Sequence, residues 1–493
     1  MMLNIEQRSG NLIISHINKI GDVEYMKLNV PTSHKFTWLY SKQKGRGNDN
    51  VMSWDGKPVY KVPTEFLSRT RIQEFFLEAG DQITKPLFES NMPKGYYCDI
   101  EVDVDDDGFP GPGEARNRIN AIAWAHYPEV VVFGLKPLSG EQIDTIEKNI
   151  NEHLRKVGKT YKFIYKQFNN EADMLYDFLY NYARHAPLIS GWNFWGFDWR
   201  YIYNRCKRLN LDISWMSPTK QWYKHKIMDR GKAVFIMLPQ HKLIVDYLEI
   251  YKKWDRTVEV KENNTLDFVA ESALGIRKVK YPGTFQDLYN KDYDRHCFYV
   301  AIDSILVELL NERLKTMATF LGLGNLTRVE AMSAFSPIAM LEATLVRYAY
   351  SRGQVFPKSY GNRERDNYEG AFVFEPDPNL YEWVASFDFA SLYPTIMRQW
   401  KISIENFVKK DKNATPNDHE VKCSSGAIFD VSNEPLLSEI LTDYYGKRKV
   451  SKKVSFMAEK KANELKEILK ERKKNAKDSL TSNNVIERNS AAY

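Results

Sequence analysis

The chain has 493 residues, of which 43% are hydrophobic, 13% aromatic and 27% charged. This length and composition exclude a single small domain and extensive disorder, and they predict two to four domains. No apolar run reaches the roughly 18 residues that a membrane span needs, and residues 1–10 lack the apolar segment of a signal peptide, so we expect a cytoplasmic protein. The four cysteines are far apart in sequence, which argues against a disulfide framework or a zinc site.

Positive charge is concentrated near the end of the sequence. Residues 447–477 hold thirteen Lys or Arg and four Glu, a net charge of +9. Because the whole chain has a net charge of +6, the remaining residues together carry −3. Such a concentration of positive charge is typical of a segment that binds phosphate groups. A solvated helix face, the usual place for a run of charges, is the alternative.

The first half of the chain alternates predicted strands and helices. In chain order these are short strands at 12–14 and 25–28, strands at 96–102, 130–133 and 162–165, and a helix at 171–185. A strand-turn-strand hairpin over 226–245, with its turn at Asp229-Arg230-Gly231-Lys232, comes next, and a buried strand at 243–248 follows.

The second half begins with one long predicted helix over 298–320. Residues 355–366, with glycine, proline and several charges, are predicted to be a linker. Two apolar strands are predicted at 371–374 and 384–388, and the pattern from about 436 onward is helical and basic. This mixture of strands and helices predicts a multidomain α/β protein.

Four carboxylates stand in distinctive local sequences. Asp99 and Glu101 lie in Cys-Asp-Ile-Glu-Val, where alternation puts both on one face of the predicted strand. Asp198 ends the segment Gly-Trp-Asn-Phe-Trp-Gly-Phe-Asp. Asp303 ends Tyr-Val-Ala-Ile-Asp, in which Tyr299 comes one helical turn earlier and projects from the same helix face.

Phosphodiester hydrolysis with two divalent metal ions is the chemistry that requires such a set of carboxylates. Carboxylates are the ligands that Mg²⁺ or Mn²⁺ prefers. In this interpretation Asp99 bridges two ions, and Glu101 and Asp303 hold one of them. Asp198 holds the other ion, and Tyr299 orients the attacking water. Each motif alone has an ordinary alternative, a solvated strand or helix face, but the three motifs in this order are much more specific.

A further carboxylate, Asp388, ends the apolar pattern at 384–388 and is followed by Phe-Ala-Ser-Leu-Tyr-Pro. A carboxylate at the end of a strand can present metal to a triphosphate, while the turn after it donates backbone N–H groups. A core strand that ends in a polar turn is the alternative.

These segments resemble the motifs of family B DNA polymerases of the T-even phage type. The residues around Asp99, Asp198 and Asp303 are similar to the Exo I, Exo II and Exo III motifs of DnaQ-like 3′→5′ exonucleases. Ser386 to Pro394 is similar to motif A of the polymerase site. The resemblance implies an RNase H-like exonuclease with two Mg²⁺ or Mn²⁺ ions. It also implies that the protein acts on single-stranded 3′ ends and primer–template DNA, in the host cytoplasm if the source is viral.

The resemblance also implies a domain order. The domains are an N-terminal β-rich domain at 1–90, joined by 325–366; the exonuclease domain at 91–320; a partial palm with motif A at 367–435; and partial helical fingers with a polar tail at 436–493. The hairpin near 226–245 would help to move the primer end between the two sites.

Nucleotide-binding residues follow from the same resemblance. Asp388 would bind both ions of DNA synthesis. Leu392 and Tyr393 would lie at the nucleotide, with Tyr393 under the sugar, where it excludes a 2′-OH. Arg448 and Lys452 fall where this branch of the family binds the incoming triphosphate, and their i,i+4 spacing puts both on one helix face.

Only half of the family's polymerase site is found in this sequence. The Asp-Thr-Asp-Ser of motif C does not occur, and no segment matches motif B or the thumb. A polymerase encoded as two chains and a truncated product both fit. We favour two chains, so that dNTP binding and DNA synthesis need a second chain with motifs B and C. The alternatives are a nucleic-acid-binding regulatory fragment without polymerase activity and a stand-alone nuclease with a vestigial palm.

Overall fold

The computed structural model divides into two compact units. The first contains Met1–Thr37 and Lys61–Arg347, and the second contains Trp38–Tyr60 and Tyr348–Tyr493. The structure describes residues 1–40, 51–88, 91–105, 108, 110–255, 263–279, 281, 283–357 and 372–490, with the side chains of 285 and 473–490 left out. Among these residues, no helix combines the length and the apolar character that crossing a bilayer requires.

Short strands and two helices make up the first ninety residues. They are β1 (Met2–Arg8), β2 (Asn11–Ile17), β3 (Val23–Asn29), β4 (Phe36–Tyr40), β5 (Met52–Ser53), β6 (Val59–Pro63), α1 (Arg69–Ala79) and α2 (Asp81–Phe88). The first three strands form an antiparallel sheet, and a tight turn joins β1 to β2 with positive φ at both Ser9 and Gly10. Apolar residues of β1, β2, α1 and α2 form a small hydrophobic core that is separate from the main one. The strands predicted at 12–14 and 25–28 are confirmed.

A six-stranded mixed sheet forms the centre of the first unit. The strands of this region are β7 (Gly95–Val102), β8 (Ile119–His126), β9 (Glu129–Gly134), β10 (Lys162–Gln167), β11 (Leu188–Gly191), β12 (Trp222–Asp229), β13 (Lys232–Pro239) and β14 (Leu243–Asp246). The sheet order is β10-β9-β8-β7-β11-β14, in which β7 is antiparallel to β8 and parallel to β11. The strands predicted at 96–102, 130–133 and 162–165 are confirmed.

Strands β12 and β13 form a separate hairpin, as the sequence predicts around Asp229 to Lys232. Arg230 and Gly231 both have positive φ, which suits a two-residue hairpin turn. The predicted second strand was too long, because β13 ends at Pro239. His241, with a φ of 63°, redirects the chain, and β14 then joins the central sheet beside β11.

Helices connect and follow the strands of this region, and several of them contact the central sheet. They are α3 (Gly140–His153), α4 (Glu171–Asp177), α5 (Asp198–Arg208), α6 (Tyr247–Trp254), α7 (Leu266–Leu274), α8 (Phe285–Lys291), α9 (Tyr293–Leu314), α10 (Thr316–Thr327) and α11 (Pro337–Ser351). The helix predicted at 171–185 continues beyond α4 only as a π-helical turn and a short 3-10 turn. The single helix predicted at 298–320 is wrong, because Lys315 has a φ of 58° and separates α9 from α10. This break lets the Thr316 hydroxyl donate a hydrogen bond to Tyr247.

The second unit contains a short parallel strand pair, a three-stranded sheet and a long helix. Its further elements are β15 (Gln354–Val355), α12 (Leu392–Gln399), β16 (Phe407–Lys410), β17 (Glu420–Lys422), β18 (Ala427–Asp430) and α13 (Leu436–Ser490). Strand β15 pairs with β5, and β18 lies between β16 and β17. Helix α13 confirms the helical pattern predicted from 436.

The two apolar strands predicted at 371–374 and 384–388 do not form in the part of them that the structure describes. Residues 372–374 and 384–388 contain no strand, while Ala371 and residues 358–366 of the predicted linker lie outside the described residues. A strand is stable only when a neighbour pairs with its backbone groups. Residues 372–389 carry large apolar side chains that face solvent instead, including Phe387 at 94% exposure.

Candidate active site

Strand β7 places Asp99 and Glu101 at the centre of the sheet. The intervening Ile100 is buried on the opposite face, so alternation turns both carboxylates to the same side. On the adjacent strand β8, Ala123 pairs with Asp99 and Ala121 pairs with Glu101. These two methyl groups leave room above the sheet, and the two carboxylates are half-buried rather than sealed into a core.

Helix α9 packs over β7 and β8 and brings Asp303 to this space. One carboxylate oxygen each from Asp99, Glu101 and Asp303 lies within 4.8 Å of the others. Asp303 is buried, and its Oδ1 has no hydrogen-bond partner among the described residues. Tyr299 lies one turn earlier on the same helix and is also buried. The two motifs that the sequence separates by about 200 residues therefore meet at one site.

Asp198 lies beside this cluster, at the first position of α5. Its Oδ1 accepts a hydrogen bond of 3.1 Å from the N–H of Ile100, the residue between Asp99 and Glu101. The side chain is buried. The structure therefore brings all four predicted carboxylates and Tyr299 into one region of the first unit.

A tight turn between β11 and α5 sets the position of Asp198. Gly191 allows a close approach, since a Cβ there would lie 2.4 Å from the carbonyl oxygen of Cys98 on β7. Asn193 has a φ of 60°, and its side chain fills the space where Gly196 has no Cβ. The N–H of Phe197 then donates to the Asn193 carbonyl oxygen at 2.9 Å. Backbone geometry therefore favours Gly191, Asn193 and Gly196 in this turn, and the proposed metal chemistry requires only Asp198.

Lys278 is a site residue that the sequence did not single out. Its Nζ lies 2.5 Å from Asp303 Oδ2 and 5.2 Å from the centre of the Tyr299 ring. The Tyr281 ring contacts Tyr299 edge-on, with ring centres 5.5 Å apart. Lys278 stands in Arg-Lys-Val-Lys-Tyr, which looks like an ordinary solvated segment. Only its position relative to α9 distinguishes it.

Burial and mutual repulsion oppose full ionisation of the acidic cluster. Burial, reinforced by the charge of Asp303, raises the pKa of Asp99 to about 8. Burial and then the charge of Asp99 raise the pKa values of Glu101 and Asp198. Burial also raises the pKa of Asp303, although Lys278 opposes that shift. Burial alone would lower the pKa of Lys278, but Asp303 and its neighbours raise it. One lysine does not balance four carboxylates, so the site favours additional cations.

The acidic cluster suits a divalent metal ion. Converging carboxylate oxygens without a softer ligand are typical of Mg²⁺ or Mn²⁺ sites rather than zinc sites. The unpartnered, buried Oδ1 of Asp303 is a lone acceptor that a cation would satisfy. The residues present therefore fit the ions that the sequence predicts.

A groove adjoins the turn that leads into Asp198. It is a cavity of about 790 Å³ bordered by the turn, the hairpin and helices α5 and α6. Its walls include Asn193, Phe197 and three cations, Arg200, Arg230 and Lys252, together with three carboxylates, Glu114, Asp229 and Glu249. Arg200 is paired with Asp229 at 3.0 Å. Cations and an aromatic ring along one groove are the elements that bind single-stranded nucleic acid.

The motif A residues lie in the second unit and are exposed. Asp388 follows the strand-free segment, and Leu392 and Tyr393 begin α12 after Ser391, whose φ is 54°. Tyr393 is 73% exposed. Within the described part of the chain, the three-carboxylate grouping that can hold metal is formed by the residues on β7 and α9, and Asp388 does not belong to it.

Arg448 and Lys452 lie on α13 and are both exposed. Their spacing places them on one face of the helix. Lys447 pairs with Asp443 one turn earlier at 2.6 Å. The helix therefore presents positive charge to solvent, as the composition predicts.

Family comparisons match an exonuclease domain to the part of the chain that contains Asp99, Glu101 and Asp198. Residues 71–264 match the family described as DNA polymerase family B, exonuclease domain, and residues 338–485 match DNA polymerase family B. The chain belongs to family B of the DNA polymerases and carries the exonuclease domain of that family. This confirms the family resemblance seen in the sequence.

Curated relatives include phage and archaeal polymerases. The chain is 28% identical to the DNA-directed DNA polymerase of Enterobacteria phage T4, over 95% of this chain and 55% of the relative. Identity to the DNA-directed DNA polymerase of Escherichia phage RB69 is 29%, over 75% and 43% respectively. DNA polymerase 1 of Sulfurisphaera ohwakuensis is 27% identical, over 74% and 42%. The chain spans about half of the length of the curated relatives it matches.

Proposed function

We propose that residues 91–320 form an RNase H-like exonuclease that removes nucleotides from the 3′ end of DNA. The observation that carries this proposal is the convergence of Asp99, Glu101 and Asp303 within 4.8 Å, with Asp198 bonded to the same strand. Four buried or half-buried carboxylates at one site destabilise a fold unless they bind cations. Their convergence at one site therefore supports a catalytic role.

Mg²⁺ or Mn²⁺ would be held by these carboxylates. Asp99, Glu101 and Asp303 would hold one ion, and Asp99 and Asp198 would hold a second. Ions bound there would stabilise the negative charge that develops on the phosphate oxygens during hydrolysis.

Tyr299 and Lys278 complete the proposed site. Burial, with the charge of Asp303, raises the pKa of Tyr299, so its hydroxyl stays protonated at neutral pH and can orient a water molecule as a hydrogen-bond donor. Lys278 stays charged beside Asp303 and favours the ionised form of that carboxylate, against the effect of burial. The groove next to the turn before Asp198 would receive the single strand, and its cations would contact phosphates rather than base edges.

Hydrolysis of 5′-labelled single-stranded DNA by the purified chain tests this function. We expect metal-dependent shortening from the 3′ end, and loss of at least about a thousandfold in rate for Asp99→Ala/Glu101→Ala. A matched control is Glu129→Ala/Asp144→Ala, which removes two exposed carboxylates of the same domain. An unchanged rate in the Asp99→Ala/Glu101→Ala protein would refute the proposal.

Residues 367–435 and 436–493 would supply part of a polymerase palm and fingers. Asp388 would bind metal, Leu392 and Tyr393 would contact the nucleotide, and Arg448 and Lys452 would bind its triphosphate. The exposed apolar side chains at 372–389 support this proposal, because strands of a palm need neighbours to cover them. DNA synthesis would then need palm and thumb residues beyond these 493, and a second chain with motifs B and C is our preferred source.

A 3′-mismatched primer–template with Mg²⁺ and all four dNTPs tests the second part. Shortening without extension is the expected result for this chain alone. Extension of the primer would contradict the proposal that further palm residues are required. Binding of DNA with neither shortening nor extension would instead favour a nucleic-acid-binding regulatory role.

A further inference from the structure

Asp246 is a buried carboxylate next to the site that the proposed chemistry does not use. It ends β14 and pairs in register with Gly191, the first residue of the turn that leads to Asp198. One of its oxygens accepts a hydrogen bond of 2.9 Å from the N–H of Leu248, which caps α6. The other accepts a hydrogen bond of 3.0 Å from the N–H of Trp195, in the middle of the turn.

Helix capping alone does not explain this carboxylate. Caps usually lie at the surface, where a serine or threonine performs the same task as an aspartate. Asp246 is only 2% exposed, and burial raises its pKa to about 7. A buried carboxyl is costly when a neutral cap would suffice. Its second bond, to a residue 51 positions earlier in the chain, is therefore the distinguishing feature.

The turn is attached to β14 through Trp195 at two points. Besides the backbone bond to Asp246, the indole N–H of Trp195 donates to the carbonyl oxygen of Ile244 at 3.0 Å. Two residues further along, Phe197 closes the turn onto Asn193, and Asp198 follows directly. Movement of Trp195 away from β14 would therefore displace Asp198 relative to the strand that carries Asp99 and Glu101.

We propose that Asp246 is a positioning residue of the exonuclease site, which holds the turn before Asp198 through the Trp195 N–H. The inference rests on the proposed exonuclease function. Asp246 touches neither substrate nor metal in this role, and its effect reaches the site through Asp198. Outer partners of metal-binding carboxylates commonly change metal affinity or activity by about 10–100-fold.

Asp246→Ser tests the hydrogen bond from Trp195 separately from the hydrogen bond from Leu248. A serine at this position can still cap α6 at Leu248, but it is too short to reach Trp195. Ser139→Ala serves as the control, because it removes an ordinary N-cap, that of α3, away from the site. Asp246→Asn keeps the side-chain volume and offers one acceptor oxygen, so it provides a second variant if Asp246→Ser does not fold.

Three readouts test the proposal on the full chain. We expect kcat on single-stranded DNA to fall by about 10-fold or more in Asp246→Ser, while KM changes by less than about twofold. Mn²⁺ affinity, measured by electron paramagnetic resonance, should weaken by a similar factor. Amide hydrogen exchange should accelerate in 191–198 and stay unchanged in α6 and elsewhere.

Failure of the positioning role of Asp246 can be distinguished from failure of the proposed exonuclease function. Asp246→Ser with wild-type kcat and Mn²⁺ affinity would overturn the positioning role, as would equal losses in Ser139→Ala. If the wild-type chain did not hydrolyse DNA, the proposed function would fail. Mn²⁺ affinity and exchange in the turn would still decide the role of Asp246, and unchanged values of both would overturn it.

Discussion

Replacing Asp99 by Asn tests the electrostatic description of the site directly. In the metal-free chain, burial and the charge of Asp303 raise the pKa of Asp99 to about 8. A group with that pKa is about nine-tenths protonated at pH 7. A divalent ion that binds the acidic cluster should therefore release protons, and Asp99→Asn should lower the number released at pH 7 by up to about 0.9.

The same shift predicts a change in stability. The pKa of Asp99 is raised on folding, so its stabilising contribution is present below pH 4 and is lost as the pH rises towards 8. At about 1.4 kcal/mol per pH unit, the loss between pH 4 and pH 7 is about 4 kcal/mol. Solvent screening of this half-buried group lowers the figure, and we expect Asp99→Asn to raise the metal-free free energy of unfolding by about 2–4 kcal/mol at pH 7.

Titration calorimetry with Mg²⁺ at pH 7, in two buffers of different ionisation enthalpy, measures the proton release. Urea unfolding in EDTA between pH 5 and pH 8 measures the stability. Asp144→Asn, an exposed carboxylate on α3, is the control and should match the wild type in both. Buffer-independent heats for the wild type, together with equal stability of Asp99→Asn at pH 7, would refute the reasoning.

Three further substitutions probe other contacts of the first unit. Lys278→Met should lower the exonuclease rate by roughly 10–100-fold, measured on labelled single-stranded DNA, because Asp303 loses the cation paired with it; an unchanged rate would exclude the lysine from the site. Gly191→Ala should destabilise the chain by about 1–3 kcal/mol in urea unfolding, since its Cβ would overlap a carbonyl oxygen, whereas Gly140→Ala, with open space around it, should have little effect. Arg205→Ala should cost about 3–5 kcal/mol by the same assay, because it leaves Glu171 buried and unpaired; a loss below about 1 kcal/mol would contradict that account.

The carboxylates of the exonuclease site were predictable from sequence because local pattern determines each position. Alternation on a strand places Asp99 and Glu101 together, and one helical turn separates Tyr299 from Asp303. The sequence does not give the distance between these segments in the folded chain. That distance depends on β7 lying at the centre of the sheet and on α9 crossing it, which are long-range features of packing.

The roles of Lys278 and Asp246 cannot be predicted from local sequence patterns. Lys278 stands in a segment that looks like an ordinary loop, and the segment of Asp246, although it fits the family resemblance, predicts only a buried strand. Each residue acquires its environment from a segment far away in the chain. Similarly, the break between α9 and α10 was missed, because a lysine in the left-handed conformation has no strong sequence signal. Elements with clear periodicity were predicted, and single residues with special contacts were not.

The two proposed sites differ in how much of their surroundings these residues supply. The exonuclease carboxylates come from β7, α5 and α9, all within the first unit, so the strand that carries Asp99 is paired on both sides. The segment that leads to Asp388 has an equally apolar sequence, yet it forms no strand among the described residues and exposes its aromatic side chains. Strand propensity was therefore not the deciding factor, because pairing partners stabilise a strand more than its own composition does. It follows that the exonuclease site should be competent in this chain by itself, whereas the polymerase site should acquire its structure only when further palm strands cover residues 372–389.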